Sequence, residues 1–221
     1  TGADNLILGD GATINLNGYL FSIQGTITLG TGASIDGSST NSEINFSGQN
    51  PQSIPAGFFN GNIANLTIEN TNGVTNNTSI VITEILNIKS GQFNTGNDVT
   101  LTCDFTGNTA QIDEVGGSIS GNITTEQCFP AKRAFRFIAS SVTTTSTYIR
   151  DNWQEGVNNL SNTVAANQNP NPGYGTHITG STTGANGFDA TTSGNPSLFE
   201  LDNVNQTWFT TTNTNSTTLT A

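Results

Sequence analysis

The stretch LILGDGATI, residues 6–14, is written again as ITLGTGASI at residues 27–35. Leu6, Leu8, Gly9, Gly11, Ala12 and Ile14 meet Ile27, Leu29, Gly30, Gly32, Ala33 and Ile35 at a spacing of 21. The period continues with drift. Leu66 and Ile68 match Leu86 and Ile88 at a spacing of 20, and Ile44 and Phe46 precede Leu66 and Ile68 by 22. Val99, Leu101 and Cys103 fall on alternate positions of DVTLTCDF. Each unit is a short apolar alternation closed by a Gly/Asn/Asp turn. Alternation places the apolar side chains on one face, and Gly and Asn supply the positive φ that corners require.

A unit of three to five strand residues cannot bury such a face alone. Stacked on a copy of itself it buries that face and pairs its backbone groups. This predicts an all-β fold: a parallel β-solenoid over residues 1–129, about six rungs of 20–22 residues. At about 4.8 Å per rung the rod is roughly 30 Å long. Each buried aliphatic or aromatic side chain contributes about 1.5–3 kcal/mol before the entropy of ordering is charged. Cys103 and Cys128 are 25 residues apart, about one rung, so stacking brings them within disulfide reach. The competing reading is two buried free thiols.

Composition narrows the function classes. The 221 residues are 33% hydrophobic and 10% charged, with five basic residues and a net charge of −11. Nucleic acid demands Lys and Arg, so no nucleic-acid partner is expected, and no apolar run reaches the roughly 18 residues of a membrane span. A diffuse negative surface attracts divalent cations. The chain opens mid-pattern at Thr1 with no leader, as a mature or excised fragment would.

From FPAKRAFRF at 129–137 the pattern changes. Four of the five basic residues fall between Lys132 and Arg150, interleaved with Phe135, Phe137 and Tyr148. RAFRFIASSV reads as a strand with Phe135 and Phe137 inward. TYIRDNWQEG is the best helix candidate, and SLFELD and QTWFTTT read as strands joined by NVN. Residues 130–221 are thus expected to form a small antiparallel β cap on an otherwise open solenoid end. TTLTA closes nothing, so this unit reads as incomplete at its C-terminus.

The segments SIPAGFFNGNIANLTIENTNGV, LNIKSGQFNTGNDVTLT and FPAKRAFRFIASSVTTTSTYIRDNWQEG, with GYGTHITG, GFDATTSGNPSLFELDN and QTW, resemble large surface and secreted proteins of the Bacteroidetes. Those proteins are exported by the type IX secretion system, and many are described as adhesins or repeat proteins. The resemblance covers most of residues 51–210 and is more specific in the second half. It implies export by that route, a cell-surface location and a larger parent protein with further strands and a sorting domain.

Chemistry-bearing residues are few. Asp10, Asp36, Glu43, Glu69, Glu84, Asp98, Asp104, Asp113 and Glu114 read as solvated turn acids. Glycoside hydrolysis needs carboxylates converging within about 5–10 Å, and Lys89 is the sole basic residue of the solenoid. Asp36 stacks on Asn15, not on an acid. His177, the single histidine, lacks a Gly-x-Ser-x-Gly or similar nucleophile context and reads as a loop anchor. Asp151, Glu155, Asp189 and Asp202 lie in Asn/Gly-rich loops and leave room for a structural calcium held through oxygen ligands; no other cofactor is expected. Trp153, Tyr174 and Trp208 are candidate sugar-stacking residues, with core packing as the competing reading. Lys132, Arg133, Arg136 and Arg150 read as pairing with local acids. Thr-x-Thr segments at 26–28 and 100–102 do not recur rung after rung as an ice-binding face would. No catalytic set emerges.

The function expected is a non-catalytic extracellular module of a bacterial cell-surface adhesin, a stiff stalk with a β cap. Its partners would be the rest of the parent protein, glycans or other surface proteins. Alternatives are a glycan-binding or polysaccharide-degrading β-helix and a self-associating fibre subunit.

Overall fold

The computed structural model of the chain describes residues 2–104, 106–129, 135–154 and 175–221. Two compact units divide at Arg133/Ala134.

The first unit is a parallel β-solenoid of about six turns over residues 6–125. Its first turn carries β1 (Gly2–Ala3), β2 (Leu6–Leu8) and β3 (Thr13–Asn15); its second, β4 (Leu20–Ile23), β5 (Ile27–Leu29) and β6 (Ser34–Asp36). The third has β7 (Glu43–Phe46) and β8 (Gln52–Ile54), and the fourth β9 (Ile63–Glu69) and β10 (Val74–Asn76). The fifth has β11 (Ile80–Ser90) and β12 (Gln92–Asn94). The sixth has β13 (Val99–Leu101), β14 (Gln111–Ile112) and β15 (Ser118–Ser120), and β16 (Thr124–Thr125) follows. The main sheet runs β1-β4-β7-β9-β11-β13-β16, with β14 also on β11; a second runs β15-β12-β10-β8, and β2–β5 and β3–β6 form short pairs.

The expected stacking is present residue for residue. Leu6 pairs with Ile27 and Leu8 with Leu29, and Ile14 pairs with Ile35. Ile44, Leu66 and Leu86 form one inward column, and Phe46, Ile68 and Ile88 another; all six are fully buried. Asn15 does face Asp36.

Corners carry buried amides that the hydrophobic pattern does not reveal. Gln52 is buried and joins adjacent turns: its Nε2 donates to the Ile23 and Gly25 carbonyls, and its Oε1 accepts from Gly48 N–H and Asn70 Nδ2. Asn76 Nδ2 donates to the Thr78 and Thr95 carbonyls at 2.6 and 3.0 Å. These side chains satisfy turn carbonyls and amides that the strand ladders leave over. Gly91 turns the chain at φ +73°, and a Cβ there would strike the Asn70 carbonyl.

Cys103 and Cys128 form a disulfide with Cα atoms 5.6 Å apart. Cys103 follows β13 and Cys128 follows β16, and those two strands pair. The bridge is therefore an inter-turn clasp, which marks an oxidising compartment.

In the second unit, α1 (Ile149–Asn152) lies within the segment expected to be helical. A parallel pair joins β17 (Thr179–Ser181) to β18 (Asp189–Ala190). The expected hairpin is present as antiparallel β19 (Phe199–Asp202) and β20 (Thr207–Thr210). This unit is thus not wholly antiparallel. Ile149, Ile178, Phe188 and Leu219 form its core, with Val142, Trp153 and Leu198 packed against them. One expectation fails: residues 135–140 form no strand, and Phe135 and Phe137 are 99% and 90% exposed. Alternation alone does not make a strand: an inward face needs a ladder, and none of the described strands pairs with this stretch.

Two outcomes follow for stability. Gly91→Ala should lower the unfolding free energy of the solenoid by about 2–4 kcal/mol, since it adds both positive-φ strain and a clash. Gly57→Ala, at φ +76° with open space around it, should cost about 1 kcal/mol; urea denaturation of both variants measures the difference. Reducing the disulfide, which closes a 25-residue separation, should cost about 3–4 kcal/mol, read as the shift in urea midpoint with and without dithiothreitol.

Candidate functional site

Strand parity decides what the solenoid shows to solvent. Because Ile44 and Phe46 point inward, Glu43 and Asn45 point outward; Thr67 lies beside Asn45 and Asn65 beside Glu43. This face carries a network of neutral donors and acids, in which Asn45 and Thr67 are themselves buried. Thr67 Oγ1 donates to Glu43 Oε1 at 2.7 Å, Asn45 Nδ2 to Glu69 Oε2 at 3.2 Å, Asn65 Nδ2 to Glu84 Oε2 at 2.8 Å and Asn87 Nδ2 to Asp113 Oδ2 at 3.3 Å. Lys89 Nζ stands 4.0 Å from Glu69, with both side chains about half exposed. Such an exposed pair contributes little. Glu43, Glu69 and Glu84 therefore sit on strands, not in turns, and each carboxylate is engaged by a Thr or Asn. The columns Leu20–Glu43–Asn65–Ile85 and Ser22–Asn45–Thr67–Asn87 carry no aromatic side chain on which a sugar ring could stack.

The turn acids behave as expected of solvated loops. Asp104 Oδ1 accepts from Thr106 N–H, Thr106 Oγ1 and Asn108 N–H, and its Oδ2 accepts from Asn108 Nδ2. The Thr106 hydroxyl and then the Asn108 amide hold its carboxyl down, from the usual 3.8 to about 2. Asp36 is lowered chiefly by the Ser38 hydroxyl. A shallow cleft on the second sheet is lined by Pro51, Asn72, Thr75, Gln92 and Asn94, among other residues, with no ionisable group.

In the second unit the candidate residues separate. Trp153 packs against the small core. Trp208 is 53% exposed on β20 beside its cross-strand partner Leu201. The Phe137 ring lies against it, centroids 5.8 Å apart and planes inclined by 40°. Tyr174 and Glu155, like Lys132 and Arg133, lie outside the described residues. Asp151 Oδ2 accepts from Tyr148 N–H at the start of α1. Asp202 holds the hairpin turn, accepting from Val204 N–H, Asn205 N–H and Asn205 Nδ2; the Asn205 N–H above all lowers its pKa. Asp189 is fully buried and accepts from Ile178 N–H. His177 is half-buried just before β17, and Arg150 Nη1 donates to the Gly187 carbonyl at 2.6 Å. Among the described residues no three His, Cys, Asp or Glu side chains gather as a metal site, and no helix is long and apolar enough to cross a membrane.

The Phe137–Trp208 contact and the Glu43–Thr67 and Asn45–Glu69 pairs are the features that residue-by-residue inspection missed. Parity places Glu43, Asn45, Thr67 and Glu69 on one face, but their bonds run diagonally, 24 residues apart, across the 22-residue pairing; nothing in the local pattern predicts the Phe137–Trp208 contact. No protein-family model matches the chain, and no curated protein or solved structure does so either.

Acidification tests the Asp104 turn. With a native pKa of about 2 against 3.8 unfolded, the unfolded chain binds the proton first. The contribution of this carboxylate is therefore present above about pH 4 and is lost as pH falls through 2. Amide exchange at Thr106 and Asn108 should accelerate over that window in the wild type. In Asp104→Asn the same amides should show no such pH dependence.

Proposed function

We propose that this chain is a non-catalytic extracellular module of a larger bacterial cell-surface protein, of the kind exported by the type IX route. In this reading the solenoid is a stiff spacer, and contacts with other molecules are made from the second unit. The observation that carries it is the in-register stacking of the inward columns from turn to turn. That arrangement turns sequence length into rod length and stiffness. The inter-turn disulfide supports an extracytoplasmic setting. The outward network supports a scaffold role too, because its carboxylates are each tied to a neutral donor on the sheet.

A second reading is favoured by one observation, the exposed Trp208 with Phe137 against it. Aromatic faces of this kind stack on sugar rings, so the second unit is also a candidate glycan contact. A glycan array run beside a reducing-sugar assay tests both readings. The expected result is no sugar release from any polysaccharide. Any glycan captured should bind about tenfold more weakly to Trp208→Ala, equivalent to roughly 1.4 kcal/mol, with an unchanged melting temperature. Sugar release abolished by Glu43→Gln or Glu69→Gln would overturn the non-catalytic reading.

A further inference from the structure

Three segments of the second unit close into one ring of hydrogen bonds. Gln154 bridges to Thr176, and Thr176 N–H donates to the Trp153 carbonyl at 2.6 Å. Gln154 Nε2 donates to the Gly187 carbonyl at 2.6 Å. Ile178 N–H donates to Asp189 Oδ2 at 2.9 Å, and Asp189 N–H returns a bond to the Ile178 carbonyl at 2.8 Å. Within this ring two side chains are almost wholly removed from solvent, Asp189 at 0% and Gln154 at 3% exposure. Each has one oxygen with no hydrogen-bond partner, Asp189 Oδ1 and Gln154 Oε1. Both are acceptors, and no donor reaches either.

A buried carboxylate with an idle oxygen is strongly disfavoured unless a charge or a donor meets it. Arg150, the basic residue of this ring, directs an N–H to the Gly187 carbonyl. No ion pair to Asp189 forms among the described residues. Neither idle oxygen is met by a donor. Carboxylate and amide oxygens are the donors a hard cation prefers, and a chain of net charge −11 concentrates such cations around itself.

We propose that Asp189 and Gln154 hold a hard divalent cation of the calcium class, which ties residues 153–154, 176–179 and 187–189 together. Two protein side-chain oxygens are few for calcium. The affinity therefore belongs to the weak range of extracellular modules, about 10⁻⁴ to 10⁻³ M.

The test uses the full chain, stripped with EDTA and titrated with Tb³⁺. Trp153 adjoins Gln154, so an ion in the ring is excited through its indole. Indole-sensitised emission is expected, displaced by Ca²⁺ at about 0.1–1 mM, absent in Asp189→Asn and at least about tenfold weaker in affinity in Gln154→Leu. Calcium at about 10 mM should raise the wild-type melting temperature by a few degrees and leave Asp189→Asn unmoved. That variant in EDTA should be no less stable than the wild type in EDTA, because it removes the buried charge and its amide oxygen can still accept from Ile178 N–H. Emission that persists in both variants would assign the ion to surface acids and overturn the proposal. So would a wild-type melting temperature that ignores calcium. Should Asp189→Asn fail to fold, Gln154→Leu decides the matter by the same readouts.

Discussion

Strands of three or four residues cannot hold a sheet together unless every neighbour keeps its register, and the solenoid depends on that constraint. A slip of one residue would turn Ile44, Leu66 and Leu86 outward together and bring Glu43 and Asn65 into the core. The penalty is shared by all turns at once, so near-repeats of 20 to 22 residues suffice where identical repeats do not exist. Extra residues are absorbed in corners, and the strands stay aligned.

Corners have their own requirement. The chain must reverse direction while its backbone groups stay paired, and the ladders do not reach them. Gln52, Asn70, Asn76 and Thr95 are buried there, and their side chains bond mainly to main-chain carbonyls and amides of adjoining turns. Composition that looks merely polar therefore divides into two populations. One faces water, and the other is internal and is as necessary to the fold as the aliphatic columns. An aliphatic residue at Asn70 or Asn76 would fill similar space and strand the carbonyls those amides now meet.

Most of the solenoid was legible because its signals are additive: alternation, turn residues and period all point to the same pairs, and Leu6 does sit on Ile27. The disulfide was legible for the same reason, since a spacing near one period brings two residues together. The hairpin around Asp202 was marked by two apolar runs and a short polar turn. Phe135 and Phe137 show the converse. Their alternation has the form of a strand, but a strand also needs a pairing neighbour, and that depends on distant chain. Asp189 has the sequence context of a loop acid, and nothing in that context shows its complete burial. Burial of an isolated carboxylate is set by how segments 35 residues apart in sequence come together, which no local pattern encodes. The outward network of Glu43, Asn45, Thr67 and Glu69 lay between these extremes. Its members follow from parity, and their mutual hydrogen bonds do not.

One strand, β11, has two upper neighbours. Its residues 80–82 pair with β13, and Ile85 and Leu86 pair with β14. Between those partners the chain leaves the sheet for the Asp104 turn and comes back. The lattice therefore branches on its last lap, and a branch is where a coiled spring under tension would begin to unwind. Cys103 lies at the departure point, and its sulfur is bonded to Cys128, just past the strand stacked above. The covalent rivet thus sits beside a place where backbone pairing thins out, and a pull there would be borne by a bond instead of by the seam beneath it.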